Sequence, residues 1–161
     1  MTIKDLVLNQ LQGSKMLFDS FSKDFNDNDA RYQPGNSGNH LNWIFVHMAV
    51  SEDAMMSQMS GEPKKLSEAL HKAYSGGSTC TADDGMTRAE ALKLYNESHA
   101  RTCEFVKGFP ESRFGDKAPE GYPANFPTMA TVLGLLGAHP YWHIGQLTVN
   151  RTLLKKPKVF G

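Results

Sequence analysis

Four stretches of the chain repeat apolar residues every three or four positions, the spacing of one buried face of an α-helix. The first spans about Thr2 to Phe25 and carries Ile3, Leu6, Val7, Leu11, Leu17, Phe18, Phe21 and Phe25. Gly13 within it costs ~1 kcal/mol of helix propensity relative to alanine, which weakens the helix without breaking it. The second runs from about Asn39 to Ser60, stopped by Gly61 with Pro63 just beyond. Its first half, Leu41 through Val50, is apolar on nearly every side, so protein should surround it. Its second half carries Met55, Met56 and Met59, read as adaptable packing or as surface for a partner. The third helix begins at Thr87-Arg88-Ala89-Glu90, a capping box, and runs to about Lys107 before Gly108 and Pro110. The fourth follows Thr128 as its N-cap and reaches about Leu154, ahead of Pro157.

The segments between them are rich in turn-forming residues. Asn26 to Gly38 reads as a plain connection, and Gly108 to Pro127 as a Pro/Gly-rich one. The connection from Gly61 to Met86 is long, with a short helix expected over Leu66–Tyr74 and the loose run Ser75-Gly76-Gly77-Ser78 after it. No β-type alternation of useful length and no internal repeat is present. The expected fold is therefore all-α, a four-helix bundle in one domain spanning residues 1–161. The long connection between helices two and three should carry the chain across an end or a side of the bundle.

Composition narrows the classes of function. Seventeen Lys+Arg balance seventeen Asp+Glu, which counts against a nucleic-acid binder, since these normally carry a basic excess. The longest strongly apolar run, Trp43 to Val50, is far short of the ~20 residues that cross a bilayer, so no membrane partner is expected. The N-terminal sequence shows no signal-peptide pattern. Cys80 and Cys103 form neither a CxxC motif nor a disulfide framework and suit a reducing, cytoplasmic compartment. Neither has a recognisable activating neighbour.

The chemistry concentrates on the last helix. Val132, Leu136, His139, His143, Gln146, Asn150 and Leu153 follow alternating steps of four and three, an inward stripe in a bundle. Residues one turn apart have β-carbons ~5–6 Å from one another, so His139 and His143 can share one metal ion. Pro140 between them cannot donate to the Leu136 carbonyl, and a local kink is expected there. The segment lacks the glutamate that a zincin places after its first histidine. His47, in the most apolar part of helix two, is the third candidate ligand, because an imidazole buried there must find a partner. The competing reading is a core histidine bonded to a carbonyl or hydroxyl. His40 is a weaker rival, since at the helix mouth it can be solvated. His71 and His99 read as surface residues. Gln146 and Asn150 are candidates for orienting ligands or substrate, and Tyr141 for supplying a hydroxyl at the pocket.

Asn39-His40-Leu41-Asn42-Trp43-Ile44-Phe45-Val46-His47-Met48, followed by Ala138-His139-Pro140-Tyr141-Trp142-His143-Ile144-Gly145-Gln146-Leu147, resembles the DinB/YfiT-like superfamily of metal-binding four-helix bundles over essentially the whole chain. The resemblance implies a metal held by His47, His139 and His143. Zn²⁺ is the first choice, with Ni²⁺, Fe²⁺ or Mn²⁺ suited to the same ligands. It further implies a metal-dependent S-transferase that uses a low-molecular-weight thiol on a small-molecule substrate. The alternatives are a hydrolase, a non-catalytic metal-binding stress protein, or a helical module whose histidines only pack. The resemblance also allows a homodimer, although nothing in the sequence reads as an obligate interface.

Overall fold

A computed structural model describes residues 1–81 and 85–160 of the chain. Among them, six α-helices and two short 3-10 turns carry the fold, with no β-strand. Four helices are long: α1 (Ile3–Ser22), α3 (Leu41–Ser60), α5 (Arg88–Gly108) and α6 (Met129–Leu153). Two are short: α2 (Asp27–Ala30) and α4 (Glu68–Tyr74). The turns lie at Pro34–Asn36 and Glu111–Arg113.

Local chemistry accounts for most of the boundaries. Thr2, Thr87 and Thr128 each close a reciprocal capping box, at α1, α5 and α6; such caps are typically worth about 1 kcal/mol apiece. Gly61 ends α3 in the left-handed region, with φ of 80°, where a β-carbon would be strained. Helix α1 stops at Ser22 rather than Phe25, because the chain turns there and Asn26 opens a new capping box for α2. That box, Asn26 with Asp29, makes a helical turn inside the segment expected to be plain connection. Helix α6 runs unbroken through Pro140, so the expected kink does not interrupt it.

Side-chain pairings give the directions of the helices. Phe45 stacks on Tyr95, Ser98 donates to the Ala49 carbonyl, and Thr102 donates to Glu52, so α3 and α5 run parallel. Tyr141 donates to the Gln10 carbonyl and Arg151 to that of Phe21, so α1 and α6 are parallel too. Lys4 reaches the Lys107 carbonyl while Phe18 meets Tyr95, which sets α1 against α5. Asn150 donates to the Asn39 carbonyl while His47 meets His139, which sets α3 against α6. The order is up, down, down, up. Parallel α3 and α5 require the chain between them to return along the bundle, and α4 does so by packing on α3.

Two apolar clusters fill the interior. One joins Phe18, Phe45, Trp43, Met48, Tyr95 and their neighbours; the other joins Val7, Leu11, Met59, Val106, Leu133 and Leu136 at the opposite end. Met55, Met56 and Met59 are all buried, and Met55 and Met59 belong to the second cluster, so no methionine surface faces a partner there. Buried polar contacts fasten the connections. Asp53 on α3 accepts from the backbone N–H groups of Lys65 and Leu66 and bonds to the His71 ring at 3.0 Å, docking the crossover. Arg151 on α6 ties the Phe21 carbonyl and Asp24 to Pro157. No helix among the described residues is long and apolar enough to cross a membrane.

Candidate metal centre

Helix α3 brings His47 to the interface with α6, where His139 and His143 stand one turn apart. One nitrogen from each of the three rings lies within 4.8 Å of those of the other two. The ring centroids are 5.4 Å apart for His47 and His139, 4.7 Å for His47 and His143, and 4.8 Å for His139 and His143.

The neighbours of the rings determine which nitrogens point inward with lone pairs. His47 Nδ1 donates to the Tyr74 carbonyl at 2.6 Å, which leaves Nε2 as the acceptor nitrogen. His143 Nδ1 donates to Gln146 Oε1 at 3.0 Å, with the same result. The two Nε2 atoms of His139 and His143 are 3.1 Å apart. Orienting a ligating imidazole through its other ring N–H is the usual construction around a bound metal. Trp43 lies flat on His47, with centroids 4.5 Å apart and planes 8° from parallel, and Trp142 meets His139 edge-on.

Burial keeps all three rings neutral. It depresses His139 to about 3, aided by the adjacent His143 and His47. Burial followed by His47 brings His143 to about 4, against the opposing bond to Gln146. His47 is lowered by burial, opposed by its bond to Tyr74. Three converging neutral imidazoles with oriented donors fit a divalent cation of the Zn²⁺ type, and three protein ligands leave part of its sphere free.

A cavity of about 470 Å³ opens beside His47 and His139. Its walls come from α3, α6, the start of the loop after α4, and the Gly121-Tyr122-Pro123 turn before α6. Ser51, one turn after His47 on the same helix, lines it with its hydroxyl 3.3 Å from His47 Nε2. The Tyr122 hydroxyl is buried and has no hydrogen-bond partner among the described residues.

Other candidates sit elsewhere. His40 is fully buried rather than solvated: Nδ1 accepts from Trp43 N–H, capping α3, and Nε2 donates to the Thr81 carbonyl. His71 is buried on Asp53, and His99 is buried at the α3–α5 interface near Glu52 and Cys103. Both had read as surface positions. His71 is held by a partner on α3 and His99 is covered by that helix, which no local pattern on their own elements reveals. Asn150 clasps the chain ahead of α3, away from the rings. Gln146 lies at the exposed rim yet orients His143, and Leu153 is half exposed, so the inward stripe frays toward the C-terminus. Tyr141 points to α1 instead of the cavity. Burial raises the Cys103 thiol, so it is not an activated nucleophile.

Sequence reasoning missed the Tyr74 carbonyl, Ser51 and Tyr122. Ser51 had a usable signal, four residues after His47 on one helix face. The other two come from connecting segments.

The described residues form an all-helical bundle that converges three neutral imidazoles from two of its helices, a ligand set that could hold a metal ion. The family model of the DinB superfamily matches residues 10–147, and the chain belongs to that superfamily. Comparison with curated proteins finds no match.

Proposed function

We propose that the protein binds a divalent cation, Zn²⁺ by preference, through His47, His139 and His143, and uses it to transfer a low-molecular-weight thiol to or from a small molecule. The observation that carries this reading is the triad itself: one ring nitrogen from each of three histidines gathered within 4.8 Å of the others, with His47 and His139 lining a cavity large enough for a small-molecule ligand. When bound, a divalent cation supplies the charge that deprotonates a thiol or acidifies water at neutral pH. The chain's own residues do the rest. Tyr74 and Gln146 fix two of the rings, and Trp43 restrains His47 by stacking. In the transfer, sulfur loses its proton to solvent and forms a bond to an electrophilic carbon, whose leaving group departs with the bonding electrons.

The test has two stages. Zinc titration by calorimetry should give one ion per chain for the native sequence and loss of at least ~100-fold in affinity for His143→Ala, beyond the 10–100-fold typical of an orienting group. Conjugation of an electrophile such as 1-chloro-2,4-dinitrobenzene with small thiols is then followed in metal-loaded and chelator-treated protein. Equal rates in the two samples rule out thiol transfer, and absence of stoichiometric zinc rules out the metal reading.

A further inference from the structure

The cavity beside the triad is built for a particular kind of occupant. Val50, Met55, Leu135, Pro123 and Trp142 give it an apolar wall, and its polar lining is uncharged: Ser51, Gln58, Ser75 and Tyr122. None of the described residues that line it is Lys, Arg, Asp or Glu. The ring-orienting groups behind His47 and His143 are a backbone carbonyl and an amide, so they too bring no formal charge. A carboxylate or sulfonate moved into such a space loses its hydration and gains no cation from the wall, which is costly. An aromatic or aliphatic body loses nothing of the kind and covers apolar surface. Trp142 offers a flat face, being 61% exposed and part of the wall. The buried Tyr122 hydroxyl, which lacks a partner among the described residues, supplies one donor to a neutral polar group that comes within reach.

We infer that the cavity takes an uncharged, mainly apolar small molecule, aromatic bodies above all, and discriminates against anionic ones. Under the proposed function this places the electrophilic substrate in the cavity and leaves the carboxylate-bearing parts of a cellular thiol outside it. The inference rests on that reading only for the cation at the inner end; the selectivity belongs to the wall.

The experiment uses 2-naphthol and 2-naphthalenesulfonate, which share a ring system and differ in charge. Binding is followed by quenching of tryptophan fluorescence in the full chain, zinc-loaded and chelator-treated, with Trp142→Phe as the control for a signal from the cavity. In the chelator-treated protein naphthol should bind at least about tenfold more tightly than the sulfonate, and zinc, which adds a cation beside the cavity, should lower that ratio. Gln58→Lys, an exposed position at the cavity, should narrow that ratio to within about threefold by placing a cation in the wall. Equal or tighter binding of the sulfonate in the chelator-treated protein overturns the inference, as does an unchanged ratio there in Gln58→Lys. Failure of naphthol to bind, or quenching that Trp142→Phe leaves undiminished, overturns it as well. Loss of zinc binding alone sinks the metal reading and leaves this comparison standing, because the chelator-treated arm needs no cation.

Discussion

Glu52→Gln should change how stability depends on pH. Glu52 is buried between α3 and α5, with one carboxyl oxygen accepting from Thr102 at 2.9 Å. Its other oxygen has no hydrogen-bond partner among the described residues and stands 4.0 Å from His99 Nδ1. Burial raises the carboxyl from 4.5 to about 7, more than the bond from Thr102, the nearby Ser98 hydroxyl and the charge of Arg101 can offset. His99 gives no counter-charge near neutrality, because burial and then Lys15 depress it to about 4. At Glu52 the folded protein therefore holds a proton that the unfolded chain gives up between pH 4.5 and about 7. A raised acid is penalised as pH rises: the deficit is absent below 4.5, grows through that window and is constant above it. At ~1.4 kcal/mol per pH unit, the native protein forfeits roughly 3 kcal/mol by pH 8. Glutamine keeps the shape and the acceptor for Thr102 but does not ionise. Glu52→Gln should be within about 1 kcal/mol of native at pH 4.5 and more stable by about 1–3 kcal/mol at pH 8. Urea unfolding of both proteins at several pH values, followed by circular dichroism, measures the difference. The histidines depressed by burial act on the acid side of both proteins and cancel. Parallel profiles across pH 4.5–8 would refute the reasoning, because Glu52 would then ionise as readily folded as unfolded.

Three further outcomes are expected. Gln146→Ala removes the acceptor that orients His143 and should weaken zinc binding by about 10–100-fold with the fold intact, read by calorimetry and circular dichroism. Gly13→Ala adds helix propensity worth ~1 kcal/mol but sets a β-carbon 2.8 Å from the Tyr141 hydroxyl; it should therefore destabilise the native protein yet stabilise the Tyr141→Phe variant by up to ~1 kcal/mol, as thermal melts would show. Asp53→Ala strips the Lys65 and Leu66 amides and the His71 ring of their shared acceptor. A loss of about 2–4 kcal/mol in stability and measurably weaker zinc affinity should follow, since α4 carries the Tyr74 carbonyl that holds His47.

The long helices were readable because their starts and stops are local. Thr2, Thr87 and Thr128 cap through residues three positions away, and Gly61 ends α3 through its own backbone freedom. The small α2 escaped because Asn26 and Asp29 also favour turns, and only the reciprocal bond between them makes a helix. The pairing of His139 with His143 follows from spacing along one helix, and His47 was betrayed by its apolar surroundings. The environments of His40, His71 and His99 were not legible. Each depends on a group brought by another segment: the Thr81 carbonyl, Asp53 and Glu52. Tyr141 failed for a related reason, since the direction of a ring on α6 depends on how closely α1 approaches, and glycine at position 13 lets it come near.

The bond from His47 to the Tyr74 carbonyl links two things that seem separate, ion capture and the anchoring of a polypeptide strap. Whatever fastens that imidazole also fastens the end of α4, and by thermodynamic reciprocity a well-seated strap raises the grip on the ion by the same factor. An ion bound at the centre would thereby make itself felt on the outside of the bundle, along α4 and the residues that dock it on α3.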